Sequence, residues 1–151
     1  MISDYIKRIR SHIGHELLLV PTVAILVRDD VGRLMLVRQA DSGEWATVGG
    51  AIEPGESPEQ AAHREAREEI GVDVTLTALV GCYGGPGFEI TYSNGDEVSC
   101  ISIVYDAVIA NGTPAPDLEE VLELGWFTEA ELETLPLTTV NRTLLGLLGL
   151  C

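Results

Sequence analysis

The chain has 151 residues, 46% of them hydrophobic, with 24 acidic against 9 basic side chains and a formal charge of −15. That is the length and apolar content of one ordinary domain, residues 1–151, with its own core. The charge argues against extended DNA or RNA held by counterion release, because Lys7 is the only lysine and the arginines are few.

No apolar run approaches the roughly 20 residues of a membrane helix, and the opening MISDYIKRIRSHIGH lacks a signal-peptide core. A soluble, cytoplasmic protein without a membrane partner is expected. Cys82, Cys100 and Cys151 lie far apart with no paired motif, so they are expected as buried, inert thiols rather than a disulfide or zinc framework.

In chain order, Tyr5, Ile6, Ile9 and Ile13 have helical spacing, which predicts a helical extension within residues 1–16. LLLVPTVAILVRDDVGRLMLVRQ predicts a hairpin, Thr22 to Arg28 against Arg33 to Arg38, turning at Asp29, Asp30 and Gly32. WATVGGAIE reads as a short strand entering a glycine turn, and VDVTLTALVGCY as a longer strand with alternating apolar positions. SNGDE, residues 93–97, is a turn signal ahead of SCISIVYDAVIA, which looks like the most buried strand. VLELGWF follows as a strand, Thr128 and Glu131 form a capping box, and residues 138–150 close the chain as a helix. Trp45 and Trp126 are expected in the core. The pattern predicts an α/β fold with a mixed sheet between helices.

The central helix is the most clearly delimited element. Ser57 can cap it, Pro58 suits its first position, Gln60 completes a capping box, and Gly71 is a left-handed stop. Glu65, Glu68 and Glu69 then share one side of the helix, beside an apolar stripe of Ala62, Ala66 and Ile70. Acids at a helix C-terminus oppose the dipole, and the Glu65/Glu69 spacing is repulsive by ~0.2–0.5 kcal/mol. A plain solvated acidic face, tied by pairs such as Arg64 with Glu68, is the simplest account. The loop before the helix, with Gly49, Gly50, Glu53, Gly55 and Glu56, favours another: a carboxylate cluster for a hard divalent cation. No cysteine stands among these acids to favour zinc, and His63 faces a different side of the helix.

Gly50, Glu56 and the run Arg64-Glu65-Ala66-Arg67-Glu68-Glu69-Ile70-Gly71-Val72 match the fixed positions of the box that defines the Nudix hydrolases, so the chain resembles that family. The resemblance, extending over about residues 20 to 135, implies an α/β/α sandwich and hydrolysis of a diphosphate bond in a nucleoside diphosphate derivative. It implies Mg²⁺ or Mn²⁺ as cofactor, a small nucleotide as partner, and is compatible with a homodimer. Carried onto this chain, it makes Glu65 and Glu69 the main metal ligands, with Glu68 sharing metals or their waters and the Gly49 carbonyl as a further ligand. Arg64 would orient Glu65, Glu56 would brace the loop, and Glu53 would support them from behind. Arg38 resembles the family's phosphate-contacting arginine, and Gly50, Tyr83 and Phe88 would border the substrate, with Tyr92 nearby.

Three matters stay open at this level. The general base is Glu68, Glu69 or, from a loop expected to be mobile, Glu120, with Glu119 as its neighbour and rival. The substrate is an ADP-ribose-like nucleotide sugar or a nucleoside triphosphate. A non-catalytic nucleotide-sensing or protein-interaction domain is the alternative function, although such domains usually have damaged boxes and this one is complete. Val48 stands where many relatives have proline, which removes no ligand.

Overall fold

The computed structural model describes residues 2–151. Helix α1 (Asp4–Ile13) starts at Ser3, whose hydroxyl accepts the Ile6 N–H, and is followed by strands β1 (Leu18–Val27), β2 (Leu34–Gln39), β3 (Trp45–Ala46) and β4 (Val48–Ala51). Helix α2 (Pro58–Ile70), strands β5 (Val74–Tyr83), β6 (Glu89–Thr91), β7 (Glu97–Ile109) and β8 (Val121–Phe127), and helices α3 (Glu129–Leu132) and α4 (Thr139–Leu147) complete it.

The strands form two sheets. A five-stranded mixed sheet runs β4-β1-β7-β5 with β6 on β7, and a three-stranded sheet runs β3-β2-β8. β1 and β7 are parallel, from Leu18 opposite Val98 to Val27 opposite Ala107, and β4 lies antiparallel on the other side of β1.

The period of two along β1 divides the interior. Val23, Ile25 and Val27 join one buried cluster with Ala61, Ala62, Ala66 and Ile70 of α2, whereas Ala24 and Leu26 join a second with Leu132, Leu144 and Leu145 of α3 and α4. Sheets bearing apolar side chains on both faces must be covered on both, and the α/β/α layering follows.

The expected hairpin of β1 with β2 is corrected. The turn exists, with the Gly32 N–H donating to the Asp29 carbonyl at 3.1 Å, but the strands enter different sheets and are joined only by the bridge Arg28 to Leu34. β1 is buried continuously from Val23 to Val27, and its backbone is satisfied by β4 and β7 instead. β1, not β7, is therefore the more continuously buried strand, since β7 alternates. Of the cysteines only Cys100 is buried; Cys82 is exposed on the edge strand β5. Trp45 lies in the core, edge-on to Phe127, while Trp126 is half-buried.

Helix α1 docks through Arg10, which donates to the carbonyl of Glu97 at 2.7 Å, and through Ile6 on the α4 side. Among the described residues no helix is long and apolar enough to cross a membrane.

Candidate active site

The caps of α2 set its register. The Ser57 hydroxyl accepts the Gln60 N–H while the Gln60 side chain accepts the Ser57 N–H, and Gly71 closes the helix at φ 70°. With the alanine face pressed to β1 and β4, Glu65 and Glu69 turn inward, 8% and 7% exposed, and Glu68 stays out in solvent. The one acidic cluster of the sequence is thus two buried carboxylates and one surface carboxylate.

Strand β4 receives the buried pair. A Cβ on Gly50 would stand 2.5 Å from a Glu65 carboxylate oxygen, so that carboxylate rests on bare backbone. The Gly49 N–H donates to Glu69 Oε2 at 2.9 Å. A Cβ on Gly49 would meet the Val23 carbonyl at 2.1 Å, so the paired glycines let β1, β4 and α2 approach together.

Arg64 ties loop to helix. Its Nε and Nη2 donate to the two Glu56 oxygens at 2.7 and 2.9 Å, Nη2 also reaches the Ala51 carbonyl at 2.9 Å, and Nη1 reaches Glu65 at 2.8 Å and Glu68 at 3.1 Å. Glu56 in turn accepts the Glu53 N–H at 2.9 Å, which folds the loop back on itself. Glu53 contributes that backbone group, and its side chain is half-buried beside Pro54.

The electrostatics follow from burial. The Arg64 guanidinium holds the Glu56 carboxyl below the usual carboxylate range, and Arg64 itself is locked in its charged form, chiefly by Glu56. Burial pushes Glu65 up, opposed by its hydrogen bond from Arg64. Glu69 is pushed well above the ordinary range by burial first and by the negative charge of Glu65 next; the Gly49 N–H opposes this, and Glu120 and Asp117 add to it. Five acids, Glu65, Glu68, Glu69, Asp117 and Glu120, therefore load one region with negative charge, and Arg64, which reaches it, is already shared by Glu56, Glu65 and Glu68.

That deficit of positive charge, with oxygen donors only, fits a hard divalent cation. Among the described residues no three acidic, histidine or cysteine side chains stand ready as a metal cluster. Arg64 Nη1 donates to Oε1 of Glu65 and the Gly49 N–H to Oε2 of Glu69, so each carboxylate keeps a second oxygen with which it could ligate a cation.

The remaining expectations divide. Glu120 is half-buried at the end of the loop after β7, and its charge acts on both Glu65 and Glu69, whereas Glu119 is exposed. The loop is not loose at this point: Asp117 Oδ1 accepts the N–H groups of Glu119, Glu120 and Val121. Asp117 was not singled out in the sequence, although an Asp two to four residues ahead of a strand is the signal of such a side-chain-capped turn.

Arg38 lies on the Leu34 and Leu36 side of β2, away from α2, and its Nε donates to Glu123 at 2.9 Å across the strand pair. The expectation that Phe88 stacks on substrate is corrected: it is 0% exposed, packed in the core on the α4 side. Tyr83 packs against that same core with its ring over Gly81, so neither ring faces the carboxylates of α2. Tyr92 is exposed at the β6–β7 turn, and His63 is half-buried on α2.

Residues 18–147 match the model of the NUDIX domain. The chain belongs to the Nudix family. Curated Nudix relatives include the nucleoside triphosphatase NudI of Escherichia coli (strain K12 / DH10B), 33% identical over 136 residues covering 85% of this chain and 95% of the relative. NudI of Salmonella agona (strain SL483) is 32% identical over the same spans. Among solved Nudix folds, a MutT protein from Methanosarcina mazei Go1 aligns with TM-score 0.74 at 24% identity, covering 89% of this chain and 95% of that one. A MutT Nudix hydrolase from Burkholderia pseudomallei aligns with TM-score 0.70 at 26% identity, covering 85% and 97%. The protein is accordingly a Nudix pyrophosphohydrolase acting on phosphorus anhydrides, a family that generally works with divalent metal ions.

Proposed function

We propose that this Nudix hydrolase cleaves the phosphoanhydride chain of nucleoside triphosphates with Mg²⁺ or Mn²⁺ as cofactor. The observation that carries the metal-dependent chemistry is the pair of buried carboxylates, Glu65 and Glu69, seated on the bare backbone of Gly50 and Gly49. The choice of a triphosphate over a nucleotide sugar is supported by relatives named nucleoside triphosphatases, matched over 95% of their length.

Glu65 and Glu69 would hold the cation, with Glu68, Glu120 and the Gly49 carbonyl at its margin. When bound, the metal neutralises phosphate charge and lowers the pKa of the attacking water. Arg64 fixes the side chain of Glu65 and, through Glu56, the loop from Glu53 to Ser57. Glu120 accepts the proton of the attacking water on its carboxylate, a role suited to a half-buried acid near two others. Gly50, lacking a side chain, lets the Glu65 carboxylate sit directly on β4. Arg38 would have to leave Glu123 before it could meet a phosphate.

The test is a panel of nucleoside triphosphates and ADP-ribose, assayed for phosphate, pyrophosphate and monophosphate products with Mg²⁺, with Mn²⁺ and after exhaustive EDTA. Turnover of a triphosphate that disappears with EDTA is the expected result. Activity surviving EDTA would remove the metal, and turnover of ADP-ribose alone would move the substrate to nucleotide sugars.

A further inference from the structure

The loop that carries Glu120 is built in an unusual way. Leu118 has φ 67°, and among the described residues it is the only non-glycine residue with positive φ. A branched side chain in that region is disfavoured by about 1 kcal/mol or more, so surrounding bonds must impose it. Those bonds converge on Asp117. Its Oδ1 accepts the N–H of Glu119 at 3.1 Å, of Glu120 at 3.1 Å and of Val121 at 2.9 Å, while the Leu118 N–H donates to the Val121 carbonyl at 3.0 Å. The Glu120 carbonyl accepts the Ala40 N–H at 2.9 Å, which anchors the same residue to the end of β2. Val121 then enters the core beneath α2.

Glu120 is thus held at its N–H by Asp117 and at its carbonyl by Ala40, and little backbone freedom is left to aim its side chain elsewhere. Glu120 is half-buried where Leu118 and Glu119 are exposed, and it stands next to Val121, which packs with Ala62, Ala66 and Ile70 of α2; its charge acts on Glu65 and Glu69 of that helix. Leu118, by contrast, is 68% exposed, so its conformation is held by the loop's hydrogen bonds and not by burial of its side chain.

We propose that Asp117 is a positioning residue, whose carboxylate clamps the loop so that Glu120 faces the carboxylates of α2. This rests on the reading of Glu120 as the proton acceptor in the proposed function.

The experiment compares Asp117→Ala, Asp117→Asn, Glu120→Gln and the double variant Asp117→Ala/Glu120→Gln. Each is assayed with the nucleotide that the parent hydrolyses fastest, at a temperature where circular dichroism shows native protein. Asp117→Ala should lower kcat about tenfold or more with KM changed less than about threefold, because the group acts only on the chemical step. Asp117→Asn keeps an acceptor oxygen and should recover most of the loss. The double variant should be no slower than Glu120→Gln alone, since the clamp has nothing left to aim. Should Asp117→Ala fail to fold, Asp117→Ser, with a shorter acceptor, is judged by the same criteria. A crippled Glu120→Gln beside an unimpaired Asp117→Ala, or losses that multiply in the double variant, would overturn the positioning role alone. A normal Glu120→Gln would overturn the proton-acceptor reading and the clamp with it.

Discussion

At the scale of single residues, identical chemistry takes on different states. Glu65, Glu68 and Glu69 lie within two turns of one helix, yet two are buried and pushed toward the neutral form while Glu68 is solvated. Glu56 goes the other way, held ionised by Arg64. These directions give opposite pH signatures without metal. A raised folded pKa at Glu69 contributes stability that is fully present below the ordinary value of 4.5 and is lost as pH rises through the folded pKa. Glu56, lowered, contributes stability present above 4.5 and lost as pH falls through its own folded pKa. Urea midpoints in EDTA should therefore decline as pH rises above 4.5 in the parent, and Glu69→Gln should flatten that decline while cutting turnover by orders of magnitude. An unchanged slope in the variant would mean that Glu69 is not the strained acid.

At the scale of elements, local signals were legible where the cause is local. Ser57, Gln60 and Gly71 bound α2, and Thr128 with Glu131 starts α3, because each cap is a bond between residues close in sequence. The hairpin of β1 with β2 misread a real turn at Asp29, since the pairing beyond it was decided by strands far away in the chain. Gly49 shows how closely those distant elements meet. Gly49→Ala would place a Cβ 2.1 Å from the Val23 carbonyl, at a φ of 156°, and backbone cannot yield as a side chain can. It should destabilise the protein by about 3 kcal/mol, the upper range for overpacking. Equilibrium unfolding that shifts by less than about 1 kcal/mol would show that β4 can move away from β1.

At the scale of the whole molecule, the acidic charge and the buried acids have one consequence. A chain at −15 repels polyanions, and its arginines are engaged in pairs such as Arg28 with Asp106, Arg33 with Asp29 and Arg38 with Glu123. Duplex DNA should accordingly bind only weakly at physiological salt, with a dissociation constant above ~10 μM and a shallow salt dependence, in a filter-binding assay. Submicromolar binding would contradict this reading of the surface.

By itself the sequence determined the caps of α2, the box that it carries, the acids that line it and the charge that surrounds it. Each is fixed by side-chain chemistry at short separation or by composition. Only the tertiary structure decided which acids are buried, since Glu65 and Glu69 differ from Glu68 through what β4 and Arg64 place against them. It also turned Phe88 and Tyr83 to the α4 side, which alternation alone could not choose because β1 and β7, the strands at the middle of the five-stranded sheet, give buried residues to the clusters on both faces. Asp117, by contrast, makes local bonds to the N–H groups of residues 119–121, a turn signal present in the sequence; only the tertiary structure brings the residue after that turn, Val121, against α2.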